Sequence, residues 1–98
     1  MTELDPVIHT EARLRIVSAL AGLTPETSIT FPALQSALEM TPGNLSVQLR
    51  KLEDAGYVTI TKGFRGTRPV TYAGLSPQGR EAFRAYVDSL QRIISTAH

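Results

Sequence analysis

Between Thr41 and Gly56, apolar residues recur with the period of an α-helix. Three leucines are spaced at i, i+4 and i+7: Leu45, Leu49 and Leu52. This spacing places them on one narrow stripe that faces a core. The Thr41 hydroxyl can cap the first turn, and Pro42 suits the first helical position, where its missing N–H costs nothing. Gly56 fits the position just beyond the last turn. The pattern predicts a helix from Pro42 to Ala55.

The opposite face of this predicted helix is polar and slim. At about 100° per residue, it carries Gly43, Asn44, Val47, Arg50, Lys51 and Asp54, with Ser46 and Gln48 on the flanks. Arg, Lys, Asn and Gln match the donors and acceptors of base edges, and the DNA major groove admits a helix of this width. The segment alone favours an ordinary amphipathic helix with a solvated face, because charged outer faces are the norm.

An alternating segment follows Gly56 and predicts a β-hairpin. Val58 and Ile60 fall on one side of a strand, and Thr59 and Thr61 fall on the other. A second strand can pair back through Thr71, Ala73 and Leu75. The predicted hairpin occupies residues 57–75.

The tip of this hairpin carries charge of one sign. Three cations and no anion surround it: Lys62, Arg65 and Arg68. Gly63 and Gly66 permit a tight or bulged turn, and Pro69 suits an edge strand. A solvated hairpin tolerates mixed charge, so the one-signed tip indicates contact with a phosphate backbone or a minor groove.

The remaining segments predict shorter elements and a long final helix. Thr10 can cap a helix that ends near Ala21, and residues 29–31 can add a short third strand. A second short helix is expected from Pro32 to Leu38. Ser76 and Pro77 form the start of the last helix.

Two motifs in the chain resemble those of a known family. They are GNLS-x-x-L-x-x-LE-x-AGYV, from residue 43, and L-S-x-x-G-R, which opens the last helix. The order of elements around them is similar to that of small winged-helix transcriptional regulators related to the MarR and ArsR groups. The resemblance covers nearly the whole chain. It departs from the family at Gln48, where such proteins often carry His or Arg, and this leaves base preference at that position open.

The resemblance implies one mainly α-helical winged helix-turn-helix domain over residues 1–98. Its helix-turn-helix would occupy about residues 31–55, its wing about residues 57–75 and a dimerisation helix about residues 76–95. The helix from Pro42 to Ala55 would be the recognition helix. The expected partner is double-stranded DNA, contacted by Thr41, Pro42, Asn44, Ser46, Val47, Gln48, Arg50, Lys51, Lys62, Arg65 and Arg68. Because Asn and Gln can each make a paired contact to adenine, a half-site with A·T pairs is expected.

The last helix carries a broader apolar band than a chain of this length can cover. This excess predicts a homodimer built from the first and last helices, since a large exposed apolar patch would otherwise persist. The residues expected at that interface are Ile8, Val17, Phe83, Tyr86, Val87, Leu90, Ile93 and Ile94. The alternative is that the last helix folds back on its own domain.

Composition supports one small domain with a localised positive charge. The chain has 98 residues, 42% of them hydrophobic, and a net charge of +1. Residues 41–72 hold five Lys or Arg and two acids, whereas residues 1–40 hold two Lys or Arg and five acids. The positive charge therefore falls on the segment predicted to bind DNA.

The sequence contains no recognisable set of catalytic residues. It has no cysteine and none of the usual phosphate-loop, zinc-protease or serine-hydrolase motifs. Glu53 and Asp54 are neighbours that point about 100° apart, which suits acid–base chemistry poorly. His9 has no accompanying ligand cluster, so it is expected to mark the start of the first helix and not to bind a metal. We expect no catalysis, no cofactor and no metal.

No secretory or membrane-spanning segment is evident, so a cytoplasmic location without membrane association is expected. The serious alternative function is a winged-helix module that binds protein and not specific DNA. Such a module should carry apolar or aromatic anchors on its recognition face, where this chain has Asn44, Arg50 and Lys51. The sequence assigns no operator, no direction of regulation and no effector ligand.

Overall fold

The structure is a computed structural model that describes residues 3–96, and within them it has four helices and three strands. In chain order they are α1 (Glu11–Ala21), β1 (Ile29–Thr30), α2 (Phe31–Leu38), α3 (Pro42–Asp54), β2 (Val58–Arg65), β3 (Arg68–Leu75) and α4 (Pro77–Thr96). This order confirms the predicted winged helix-turn-helix, in which α2 and α3 form the helix-turn-helix and β2 and β3 form the wing.

Hydroxyl side chains cap the helices, and the sequence predicts these caps except the one at Thr30. The capping residues are Thr10, Thr30, Thr41 and Ser76. Ser76 Oγ also donates to the Gly56 carbonyl at 2.6 Å, which joins the start of α4 to the end of α3. Gly56 itself adopts φ = 82°, a left-handed conformation that favours glycine.

The three strands form one antiparallel sheet in the order β1-β3-β2. Val58 pairs with Leu75 and Ile60 pairs with Ala73, so the apolar side of the hairpin faces the core as the alternation predicts. The hairpin turns at residues 66–67, and Gly66 has φ = 63°. Gly63 lies inside β2, so the hairpin tip is a tight turn without a bulge there.

The core lies where α1, α2, α3 and the sheet meet. Its buried members are Ile16, Val17, Leu20, Leu34, Leu38, Met40, Leu45, Leu49, Leu52, Val58, Ala73 and Leu75. The leucine stripe of α3 is fully included, which leaves the opposite face of that helix at the surface.

Three residues expected at a dimer interface are buried within their own chain. Ile8 and Val17 are 0% exposed, and Tyr86 is 3% exposed within its own chain. The apolar face of α1 is buried in the core. The Tyr86 hydroxyl is hydrogen-bonded to His9 Nδ1 at 2.8 Å. These side chains offer no surface to a second chain, and the interface expectation is corrected for all three.

A close approach fixes the start of α4 against the start of the wing. A Cβ added at Gly79 would lie 2.0 Å from the Tyr57 carbonyl oxygen. Glycine is therefore required there, because a side chain would push α4 away from the sheet.

Beyond this junction α4 is long and largely exposed. It has 20 residues, of which Gly79 and Tyr86 are buried. Ile93 and Ile94 are 41% and 50% exposed near its end. Within residues 3–96, no helix combines the length and apolarity needed to cross a bilayer, and no cluster of three potential metal ligands occurs.

Candidate nucleic-acid interface

The outer face of α3 is open to solvent along its length. Its exposed residues include Thr41, Pro42, Gly43, Asn44, Ser46, Val47, Arg50 and Lys51. Gln48 is half-buried because its side chain lies against α1. Every α3 residue that the sequence assigns to DNA contact therefore reaches the surface, and Gln48 does so only in part.

A groove connects α3 to the wing. Ser46 and Arg50 line it from α3, and Lys62 and Thr71 line it from the hairpin. Glu53 also lies in this groove, so its charge there is mixed. The groove brings Arg50 and Lys62, two of the predicted DNA-contacting residues, onto one continuous surface.

The wing tip, defined here as Lys62–Arg68, extends beyond this groove. Arg65 and Arg68 are paired across the two strands, and both are exposed. A second groove places them beside Thr30, Phe31 and Pro32, at the start of α2. Arg65 and Arg68 are thus beside the start of α2, whereas Lys62 lies in the groove against α3.

None of the five proposed DNA-contacting cations is paired with a carboxylate within residues 3–96. Both ion pairs of that region lie on α4, between Arg84 and Glu81 and between Arg92 and Asp88. Arg50, Lys51 and the wing-tip cations are therefore available to an external anion.

Two residues of this surface were missed by the sequence reasoning. Phe64 is 72% exposed at the wing tip, although its alternation and aromatic character fit a strand. Its position between Gly63 and Arg65 in a cationic turn was the available signal. A single exposed apolar side chain is common on folded surfaces, so Phe64 joins the candidate interface only because it lies among the wing-tip cations.

Arg13 is the other missed residue, and it ties α1 to the recognition helix. Its Nη1 donates to Gln48 Oε1 at 2.8 Å, and its Nε donates to the Val7 carbonyl at 2.5 Å. Gln48 Nε2 in turn donates to Asn44 Oδ1 at 3.3 Å. The signal was a cation on the otherwise apolar face of α1, which requires a polar partner when half-buried.

A hydrogen bond anchors the junction between α3 and the wing. The Tyr57 hydroxyl donates to Asp5 Oδ2. This bond, with burial and the Asp5 charge adding to it, raises the pKa of Tyr57 to about 12. The neutral phenol is therefore favoured, and the segment before α1 is joined to the base of the wing.

Comparison with known proteins agrees with this architecture. A family model for the winged helix DNA-binding domain matches residues 12–94. An uncharacterized protein from Methanocaldococcus jannaschii is 32% identical over 81 residues, which are 83% of this chain and 85% of that protein.

Solved structures extend the comparison. A transcriptional regulator homologue from Pyrococcus horikoshii OT3 is 30% identical with a TM-score of 0.83, covering 93% of this chain and 87% of its own. The Staphylococcus aureus protein MepR, solved with DNA, has a TM-score of 0.73 at 20% identity, covering 90% of this chain and 69% of its own, and at that identity it supports the fold alone. By the match over residues 12–94, the chain belongs to the family of winged helix DNA-binding domains.

Proposed function

We propose that this protein is a transcriptional regulator that binds specific sites in double-stranded DNA. In this proposal α3 enters the major groove, and the wing lies on the phosphate backbone or in the adjacent minor groove. The observation that carries it is the exposed surface formed by α3 and the wing, which holds amide side chains and five cations that have no carboxylate partner among residues 3–96. The family and the regulator homologue from Pyrococcus support the same assignment.

The two parts of this surface have different tasks in the proposal. Asn44, Val47 and Gln48 lie centrally on α3 and contact base edges. Arg50 and Lys62 line the groove between helix and wing, where they contact phosphate. Thr41 and Pro42 lie at the first turn of α3, where backbone amides approach the DNA strand.

The corresponding experiment is a selection from randomised duplexes with the full chain. A specific regulator should enrich one motif, and a dimeric one should enrich an inverted repeat whose half-sites lie about one helical turn apart. Binding of the enriched site should weaken as salt rises, because phosphate contacts release counterions. A selection that returns no motif, with affinity equal for all duplexes, would contradict the proposal.

The protein-binding alternative has one observation in its favour. Val47 and Phe64 are 52% and 72% exposed, and such side chains can anchor a protein partner. They occur on different elements, each beside cations, which fits DNA better than an apolar protein contact. A protein module would bind no duplex selectively, so the same selection separates the two functions.

We also propose that the protein acts as a homodimer through α4. Half-buried and exposed apolar residues continue along this helix and include Phe83, Val87, Leu90, Ile93 and Ile94. A second copy would cover this band, and its two-fold axis would present two recognition helices to an inverted repeat. The proposed interface omits Ile8, Val17 and Tyr86 because these side chains are buried within their own chain. A cytoplasmic location stays a prediction, and no effector is assigned.

The dimer is tested by one charged substitution in this band. Ile93→Glu should place a carboxylate in the interface and convert the protein to monomers, as measured by sedimentation at tens of micromolar. Ser95→Glu is the control, because it adds the same charge at an exposed position off the apolar band. A wild-type protein that sediments as a monomer at that concentration contradicts the dimer.

A further inference from the structure

Three side chains form a continuous hydrogen-bonded chain from α1 to the exposed face of α3. Arg13 Nη1 donates to Gln48 Oε1 at 2.8 Å, and Gln48 Nε2 donates to Asn44 Oδ1 at 3.3 Å. Arg13 is itself fixed, because its Nε donates to the Val7 carbonyl. The chain therefore begins at a held guanidinium and ends at the solvent-facing amide of Asn44.

The guanidinium determines which way both amides face. Arginine has donors and no acceptor, so Gln48 must turn its oxygen toward Arg13. The Gln48 nitrogen then points along α3 toward Asn44, one turn earlier. Asn44 must accept this hydrogen bond with its oxygen, which leaves its Nδ2 group without a partner among the described residues. In each step the side chain nearer to α1 is the donor, and the side chain nearer to the outer surface is the acceptor.

This order decides which base edge the two amides fit. A paired contact to adenine needs one donor for N7 and one acceptor for the N6 amino group, whereas guanine offers two acceptors, N7 and O6. Each amide oxygen here already accepts one hydrogen bond, so it has one lone pair left and competes less well for a further donor. The amide groups without a partner are N–H donors, and this favours guanine over adenine.

We infer that Arg13 is a specificity-determining residue that orients Gln48 and Asn44 to read guanine and not adenine. Arg13 acts through the amides as a positioning residue and does not itself contact DNA. The inference rests on the proposed function and replaces the A·T half-site expected from residue types alone. Side-chain identity made adenine the natural partner of Asn and Gln, and the contact with α1 changes that outcome.

The inference is tested by measuring base preference with four duplexes. Starting from the selected site, the base pair facing Asn44 and Gln48 is varied among the four possibilities, and each dissociation constant is measured. The wild type should prefer guanine over adenine by about fivefold or more at that position. Arg13→Met, which keeps an unbranched stem and removes the donors, should bring the two duplexes to within about twofold because the amides can then rotate.

Two further variants separate orientation from a purely structural role. Arg13→Lys keeps a donor-only group and should retain the guanine preference. Arg80→Met is the matched control, because Arg80 is also half-buried and donates to a backbone carbonyl of α1, that of Ala21, without contacting α3. It should leave base preference unchanged even if it lowers stability.

A substitution on α3 keeps the test decisive if Arg13→Met does not fold. Gln48→Glu retains a partner for Arg13 but offers only acceptors to Asn44, which must then turn its nitrogen inward and its oxygen outward. Preference should move from guanine toward a base with an exocyclic amino group, adenine or cytosine.

The outcomes distinguish this inference from the proposed function. A selected site at which the wild type prefers adenine, or at which Arg13→Met and Gln48→Glu both retain guanine, overturns the inference and leaves sequence-specific binding intact. A wild type that shows no preference for any duplex overturns both.

Discussion

The outer face of α3 and the wing tip both carry groups suited to DNA, but the fold supports them very differently. Three buried leucines lie beneath α3, and the Arg13 contact holds its central amides from the side. The wing tip has exposed side chains from Phe64 to Arg68 and is held by backbone pairing between its own two strands. One region is braced by the core, and the other projects from it.

This difference indicates how affinity and specificity divide between the two regions. Reading a base edge requires donors and acceptors held within a fraction of an ångström, which needs a packed support. Attraction to phosphate depends on charge and tolerates a mobile side chain. The braced helix is therefore suited to specificity, and the projecting wing to affinity that does not depend on sequence.

The largest effect should come from removing the support of α3. Leu45 is 0% exposed beneath the recognition helix, and Leu45→Ala should lower the free energy of unfolding by about 2–5 kcal/mol by leaving a cavity. Phe64→Ala is the corresponding substitution in the wing tip. It should change the free energy of unfolding by less than about 0.5 kcal/mol because Phe64 is exposed. Urea unfolding followed by circular dichroism measures both. Equal losses would show that the wing tip is packed as firmly as the helix.

A smaller effect is expected from the wing cations. Arg65→Ala and Arg68→Ala should each weaken binding to all duplexes alike and lower the slope of log K against log salt by about one. Arg84→Ala, an exposed arginine on α4, should leave the slope unchanged. A change in the preferred sequence with an unchanged slope would instead mean that the wing arginine reads bases or groove shape.

The smallest effect concerns Tyr57, at the junction of the two regions. Its pKa is raised to about 12 from an ordinary value near 10, chiefly by the hydrogen bond to Asp5. Because the folded pKa is the higher one, this stabilisation is complete below pH 10 and is lost as pH rises toward 12. The wild type should lose stability over that window more steeply than Tyr57→Phe. Identical pH profiles from urea unfolding would mean that the bond contributes nothing.

Local sequence signals were enough for most of the fold. Thr41, Pro42 and Gly56 fixed the ends of α3, and the alternation from Val58 fixed the register of the wing, because caps, turns and strand faces depend on nearby residues. Ser76 and Pro77 fixed the start of α4 in the same way. These elements carry most of the candidate DNA-contacting residues.

Long-range contacts could not be predicted in this way. The hydrogen bond from Arg13 to Gln48 joins residues 35 positions apart in the chain. No local sequence pattern predicts which polar group will accept a hydrogen bond from a cation on an apolar helix face. The sequence shows that Ile8, Val17 and Tyr86 are apolar or aromatic. It does not show whether their own chain or a second chain buries them, because that depends on how the helices pack. The sequence therefore predicted the elements of the site better than the state of its side chains.

The most direct test of the division between helix and wing is the ratio of affinities for the selected site and a random duplex. We expect Asn44→Ala to lose about 1–3 kcal/mol on the selected site and little on the random one, so that the ratio collapses. Arg68→Ala should weaken both and preserve the ratio. If Asn44→Ala keeps the wild-type ratio while Arg68→Ala abolishes it, specificity resides in the wing, and the account of α3 as the reading element is contradicted.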